Sequence, residues 1–505
     1  MVKNLALLWL SLAVLPMTTF IILTINMWHR VTYGRKKHHA KLPGALRKTI
    51  LVTGVSAAKG LTIARLFHRA GHTVIGADFH SLSPGSVSTA IGKYYRLPAP
   101  EKTRISNGED VEDAPYTLEL LRIVREQNVD LWIPASEPAS AVQDALVRDM
   151  MESQTCARPV QLRAKHVRTL SGKDSFMRYT RNLELPTPDT ELVRSKADVI
   201  DFLTQRGGLN ASSCQNIGAS SKRYILRPVG DTATAPTGSM PLLPLASERE
   251  TIQCIEDMPL LEGDEYIMQE HLQGHEFLTH ALVVRGRVRA FVACPSSETA
   301  MHYQTLPQES PFSRFMLNFT QTIADEEGPE FTGHIGFTFM AKSWSGGDSK
   351  HEDVHVYPIK CHPSVQIPAI FFRDTPELVG EYLSVLDSSG PHRPEEEDGE
   401  DGDNSLVLYP QNPKTYYWMG QDLMRYLFAP TAEKISGDPR DVVFLGGNVA
   451  SLIDHVRNWK DPVFETWDPW PWWWLYHVYW PTQVARNLFW GKWHRGEVSL
   501  REVFQ

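Results

Sequence analysis

From residue 4 to 28 no charged side chain interrupts a run of Leu, Ile, Val, Ala, Met and Thr. A helix needs roughly 20 apolar residues to cross a bilayer core, so this run predicts a single transmembrane helix. It is favoured over a cleaved signal peptide because it exceeds the usual apolar core of such peptides and no small-residue cleavage motif follows. The next pattern is short and buried. TILVT (49–53) reads as a strand, GVSAAKG (54–60) as a tight turn, the segment through Arg69 as a helix, and HTVIGAD (72–78) as a second strand ending in Asp78. That order is a βαβ unit, and a helix over 116–127 with the strand DLWIP (130–134) extends it as a parallel sheet.

Beyond this the periodicity becomes mixed. LSGKDSF (170–176) opens a helix, RYILRP (223–228) reads as a strand, and YIMQE runs from Tyr266 into a polar hinge with a Gly274 turn and Glu276. HALVVRGRVRAFVAC (280–294) predicts a β-hairpin turning at 285–287, and GHIGFTFM (333–340) with VHVYPIKCH (354–362) predicts an antiparallel pair. The acidic stretch EEEDGEDGD (395–403) lacks the ligand spacing of a calcium loop and reads as a solvated insert. A tail follows in which Trp467, Trp470, Trp472, Trp473, Trp474, Trp480, Trp490 and Trp493 accompany Tyr476 and Tyr479; amphipathic aromatics of this kind predict a membrane-interface segment. The alternative is a tail packed on the protein's own surface. The expected partition is an anchor (1–30), a basic linker (31–47), a Rossmann-like domain (48–150), a second α+β domain (151–388), an acidic loop (389–405) and an aromatic C-terminal region (406–505).

Composition narrows the function classes. With 505 residues, 42% hydrophobic and 22% charged, the chain has material for two or three packed cores. A net charge of -8 without a long basic patch excludes nucleic acid as an expected partner. Five scattered cysteines form neither a disulfide framework nor a zinc spacing, which implies a reducing compartment. Lys3 precedes the apolar helix, whereas Arg30, Arg35, Lys36, Lys37, Lys41, Arg47 and Lys48 follow it. The positive-inside bias therefore puts the main body in the cytosol, as a single-pass membrane protein.

The candidate chemistry is nucleotide binding. The first glycine turn lacks the spacing G-x-G-x-x-G, and the Tyr-x-x-x-Lys pair at Tyr33 and Lys37 lies in the juxtamembrane linker, so an oxidoreductase is a poor fit. Gln269 and Glu270, at the end of a buried strand, suit the edge of an adenine and the ribose hydroxyls. Lys173 is either a solvated first-turn lysine or a phosphate ligand. The loop GDTATAPTGS (230–239) is either a surface hairpin or a phosphate cradle.

In this order the segments resemble the ATP-grasp superfamily over most of 48–383, with the βαβ unit similar to its pre-ATP-grasp domain and a two-lobed ATP-grasp domain after it. Within the superfamily the chain is most similar to mycosporine-glycine synthase-like ligases. The apolar N-terminal segment, RLFHRAGHTVI (65–75), YYRLPAP (94–100), YIMQEHLQGHEFLTH (266–280) and the aromatic tail carry that closer likeness. The resemblance implies a ligase of secondary metabolism that uses ATP and Mg2+ to activate an acid or enolic ketone for attack by an amine, with pathway enzymes as further partners. Carried over residue by residue, Lys173 matches a phosphate-contacting lysine, Gln269 and Glu270 the adenine hinge, and Glu276 the ribose-binding acid.

The catalytic positions depart from that pattern. Arg227 stands where the family has its second lysine, Thr338 where it has a metal-binding Asp, and Lys360 and His362 at its Glu-x-Asn ligands. Mg2+ wants hard oxygen donors, and none of the three metal positions, Thr338, Lys360 and His362, supplies a carboxylate, which places Mg2+ in doubt. Two readings follow. In one, Lys173, Arg227 and Lys360 hold a nucleotide without Mg2+ in a degenerate protein acting as scaffold or regulator. In the other, acids such as Asp348 or Glu352 recruit the metal and ligation survives.

Overall fold

A computed structural model describes residues 2–32, 46–99, 114–136, 141–206, 222–228, 241–258, 260, 265–296, 301–341, 355–387, 407–423, 425–426 and 439–489. The chain forms two compact units, one made of Met1–Val167, Leu278–Gly336 and Pro363–Gln505, the other of Arg168–Phe277 and Phe337–His362.

The first unit is built on a five-stranded sheet in the order β3-β2-β1-β4-β5, comprising β1 (Thr49–Thr53), β2 (Thr73–Asp78), β3 (Lys93–Arg96), β4 (Leu131–Pro134) and β5 (Arg158–Pro159). Neighbouring strands are parallel, with Leu51 opposite both Ile75 and Trp132. Covered on both faces, β1 and β4 read as unbroken apolar runs rather than alternating ones. The turn after β1 is shaped by packing. Gly54 has φ +79°, and a Cβ there would meet the backbone of Ala135 at 2.5 Å. Asp78 closes the same turn, accepting from the backbone N–H of Ser56 at 2.8 Å. Buried Lys59 donates to the carbonyl of Val365 at 3.0 Å. The residues a dinucleotide would use are thus committed to the fold.

The N-terminal helix, Val2–Thr32, contains a stretch, Leu8–Thr32, long and apolar enough to cross a membrane, and most of that stretch is exposed. The aromatic tail has partners of its own in this unit. Ser11 Oγ lies 3.0 Å from His477 Nδ1, Thr18 Oγ1 lies 2.8 Å from His477 Nε2, and Trp473 donates to Thr19 at 3.0 Å. Trp472, Trp474 and Tyr476 pack against the core that contains Leu475, Tyr479 and Trp480. The described tryptophans between 467 and 480 are all buried or half-buried; Trp490 and Trp493 lie outside the described residues.

The tail is fastened to the βαβ unit by a buried ion pair. Arg65, on the helix Ala58–Arg69, reaches Asp468 Oδ2 at 2.9 Å and also donates to the carbonyls of Val463 and Asp468. Asp468 accepts further from Ser88 Oγ at 2.6 Å and from the Thr89 backbone at 2.7 Å. Each oxygen of this fully buried carboxylate is satisfied, the condition under which a buried pair is tolerated.

In the second unit, β6 (Thr190–Val193), β7 (Tyr224–Pro228) and β8 (Tyr266–Glu270) form a three-stranded antiparallel sheet with β8 in the centre. The helices Lys196–Gln205 and Glu248–Asp257 cover one face through Val199, Phe202, Leu203 and Ile255, against Tyr224, Leu226 and Met268. A third sheet has the order β10-β9-β11-β12, from β9 (His275–Val284), β10 (Arg287–Pro295), β11 (Gly333–Ala341) and β12 (Val356–His362). The predicted hairpin turns at Arg285 and Gly286, with φ 52° and 76°, the double positive φ that a two-residue hairpin loop requires. The four described cysteines are free.

Removing one partner of the tail's anchor strands the other charge in the interior. Asp468→Ala is expected to lower stability by about 3–5 kcal/mol, read as a fall in the thermal midpoint of the full chain. A midpoint unchanged within error would show that the pair contributes nothing.

Candidate nucleotide site

The second unit collects the predicted cations. The helix Lys173–Asn182 begins at Lys173, capped by Gly172 without a side-chain bond, so its first amides add positive potential beside the lysine. The helix packs on β12 and on β11, where Phe176 stacks against Phe337 at 5.9 Å. Burial drives the Lys173 ammonium down to about pKa 7, and the positive charges of Arg227 and Lys360 push in the same direction. The structure therefore brings together three side chains far apart in sequence. No Asp or Glu pairs with any of them among the described residues. Uncompensated cations at a helix N-terminus make a site for an anion such as a phosphate chain.

Sheet pairing places the hinge residues. On β8, Gln269 stands opposite Ile225 and shares a face with Arg227, whereas Glu270 stands opposite Tyr224 on the other face. The two differ in commitment. Glu270 is ion-paired with Lys222 at 3.1 Å and faces the N–H of Asp189 at 3.5 Å. Gln269 is buried and its Nε2 has no hydrogen-bond partner, a donor left over on the face that carries Arg227. An acceptor nitrogen of an adenine would satisfy it. Glu276 is half-buried near the start of β9. A cavity of about 530 Å³ opens beside Glu270, lined among others by Asp174, Arg178, Asp189, Arg206 and Tyr357. It does not include Lys173, Arg227 or Gln269, and most of its charges are compensated: Arg206 binds Asp189 at 2.6 Å, Arg178 binds Asp174 at 2.7 Å and Lys222 binds Glu270 at 3.1 Å, while Arg181 donates to the carbonyl of Thr190.

The side chains at positions 338, 360 and 362 offer Mg2+ no carboxylate. Thr338 Oγ1 and His362 Nε2 are hydrogen-bonded to each other at 3.0 Å, and exposed Lys360 lies between Cys361 and Ile359 on β12 as a cation. A hydroxyl and an imidazole bonded to each other, with an ammonium on the same strand and no carboxylate among the three, do not fit an octahedral, oxygen-seeking ion. Asp348, Glu352 and the loop 230–239 lie outside the described residues. Sequence reasoning did not find the Thr338–His362 bond or the orphan donor on Gln269, because both depend on pairing across strands.

No family model matches the sequence, and no curated protein matches it. Solved structures similar to the chain include N5-carboxyaminoimidazole synthetase from Staphylococcus aureus complexed with ADP, at 12% identity, covering 76% of this chain and 86% of that one with a TM-score of 0.47. L-amino acid ligase from Bacillus licheniformis matches at 12% identity over 65% and 70% of the two chains, TM-score 0.41. A biotin carboxylase–β,γ-ATP complex from Campylobacter jejuni matches at 11% over 68% and 72%, TM-score 0.45. At such values the functional reading rests on the site's own residues.

The depressed Lys173 carries a pH signature. Folding disfavours its charged form, so its contribution to stability rises with pH from about 7 toward the unfolded value of 10.5. A bound phosphate reverses that preference and takes up a proton. Affinity for ADP is expected to fall by up to about tenfold per pH unit as pH rises above 7. Fluorescence-monitored titration should find the slope reduced in Lys173→Arg, whose charge does not titrate, while Lys173→Met binds weakly at every pH.

Proposed function

We propose that the chain is a membrane-tethered nucleotide-binding protein of the ATP-grasp type, in which Lys173, Arg227 and Lys360 hold the phosphates and Gln269 meets the adenine. Glu270 and Glu276 complete the hinge and ribose side. The observation that carries this is the convergence of three cations, with Lys173 desolvated and no acid beside it among the described residues. A protein without a polyanionic ligand gains nothing from that arrangement, since like charges in a desolvated site oppose folding. The long apolar helix near the N-terminus supports tethering, with the main body cytosolic.

The same site argues for binding rather than turnover. Phosphoryl transfer depends on metal ions that bridge and neutralise the phosphates, and a lysine is a single charge without octahedral geometry. The protein in this reading is a degenerate relative of carboxylate–amine ligases that reports nucleotide state or positions pathway enzymes at a membrane. The similarity of its segments to mycosporine-glycine synthase-like ligases supports a small amine and a small acid or enolic ketone as the ancestral substrates.

Restoring carboxylate and amide donors tests this. The triple variant Thr338→Asp, Lys360→Glu, His362→Asn is expected to raise Mg2+-dependent ATP hydrolysis well above the native rate. Native hydrolysis that the triple change lowers would instead assign ligase-type chemistry to the residues as they stand.

A further inference from the structure

We infer that the first unit holds a divalent transition-metal site of the zinc class, formed by His302, Asp422 and His455. These residues are separated by 120 and 33 positions, so no motif announces them. Asp422, on the short helix Met419–Leu423, is completely buried. Its two oxygens face two imidazoles, Oδ1 at 2.6 Å from His302 Nε2 and Oδ2 at 2.6 Å from His455 Nδ1, the latter on the helix Pro439–Asn458. Among the described residues no lysine or arginine neutralises this carboxylate.

A dry carboxylate needs a positive partner, and two imidazoles converging on it supply either a proton or the ligands of a metal. The geometry points to the metal. One donor atom from each residue lies within 4.8 Å of the others. Ligands at ~2.1 Å from a tetrahedral Zn2+ stand ~3.4 Å apart, so small rotations of the imidazoles close the site. The two rings are held in place by one neighbour, Trp459, which stacks on His455 at 3.9 Å and meets His302 edge-on at 4.6 Å. Mixed nitrogen and oxygen donors favour Zn2+ over Mg2+ or Ca2+, which prefer all-oxygen shells. Three protein ligands leave a fourth position for water or a donor atom of a small molecule. The site stands independently of the nucleotide reading, being built from other residues in the other unit.

The test is metal content of the full chain in detergent, freed of any affinity tag, stripped with EDTA, equilibrated with ZnCl2 and desalted. Mass spectrometry of the metal should find about one zinc per chain, Co2+ should give a visible ligand-field spectrum, and zinc should raise the thermal midpoint over the EDTA-treated protein. Asp422→Asn and His302→Ala should abolish all three effects, while Lys173→Met retains them. The wild-type measurements need no variant, so a variant that fails to fold leaves the test intact. Wild-type protein without stoichiometric metal, or zinc retained by both folded variants, would overturn the assignment and leave a hydrogen-bonded His–Asp–His triad.

Discussion

The second unit is organised by a charge that its surroundings make costly. Lys173 sits at the head of a helix, short of water, with Arg227 on β7 and Lys360 on β12 acting on it. Burial lowers the Lys173 ammonium first, and the positive charges of Arg227 and Lys360 add to that depression. Thr338 and His362 bond to one another and supply no carboxylate. Among the described residues no acid compensates the cluster, which suits it to an anionic ligand, and the buried Gln269 Nε2 on the Arg227 face has no hydrogen-bond partner there.

The βαβ part of the first unit handles its buried charge in the opposite way. Arg65 and Asp468 satisfy each other, with Ser88 and Thr89 taking up the remaining acceptor capacity. Asp78 bonds back to the turn at Ser56, and Lys59 to a carbonyl. Closed networks of this sort hold a fold and leave nothing for a ligand. The contrast explains why a βαβ unit that invites a cofactor reading carries none of the candidate chemistry, and why the aromatic tail behaves as part of that unit's core.

Most elements were legible because their apolar runs match burial. TILVT, RYILRP and YIMQE became β1, β7 and β8, and the hairpin turned at the Arg285–Gly286 pair where no other short turn was available. The convergence of Lys173, Arg227 and Lys360 was legible too, through their positions in successive segments. Three things were not. The opposite facing of Gln269 and Glu270 follows from strand parity, yet their fates differ because Lys222 lies within reach of only one of them. The tryptophan-rich tail has the composition of a membrane interface, and that composition does not show the partners that Asp468 and His477 find on the protein. His302, Asp422 and His455 meet only through the tertiary fold.

The most direct measurement is isothermal titration of ATP into the detergent-solubilised chain, first with Mg2+ and then with EDTA. Saturable binding that persists with EDTA and is lost in Lys173→Met is the result expected of a phosphate site made of cations. Binding that requires Mg2+, with none in EDTA, would contradict the account and place carboxylate ligands for the metal elsewhere in the chain.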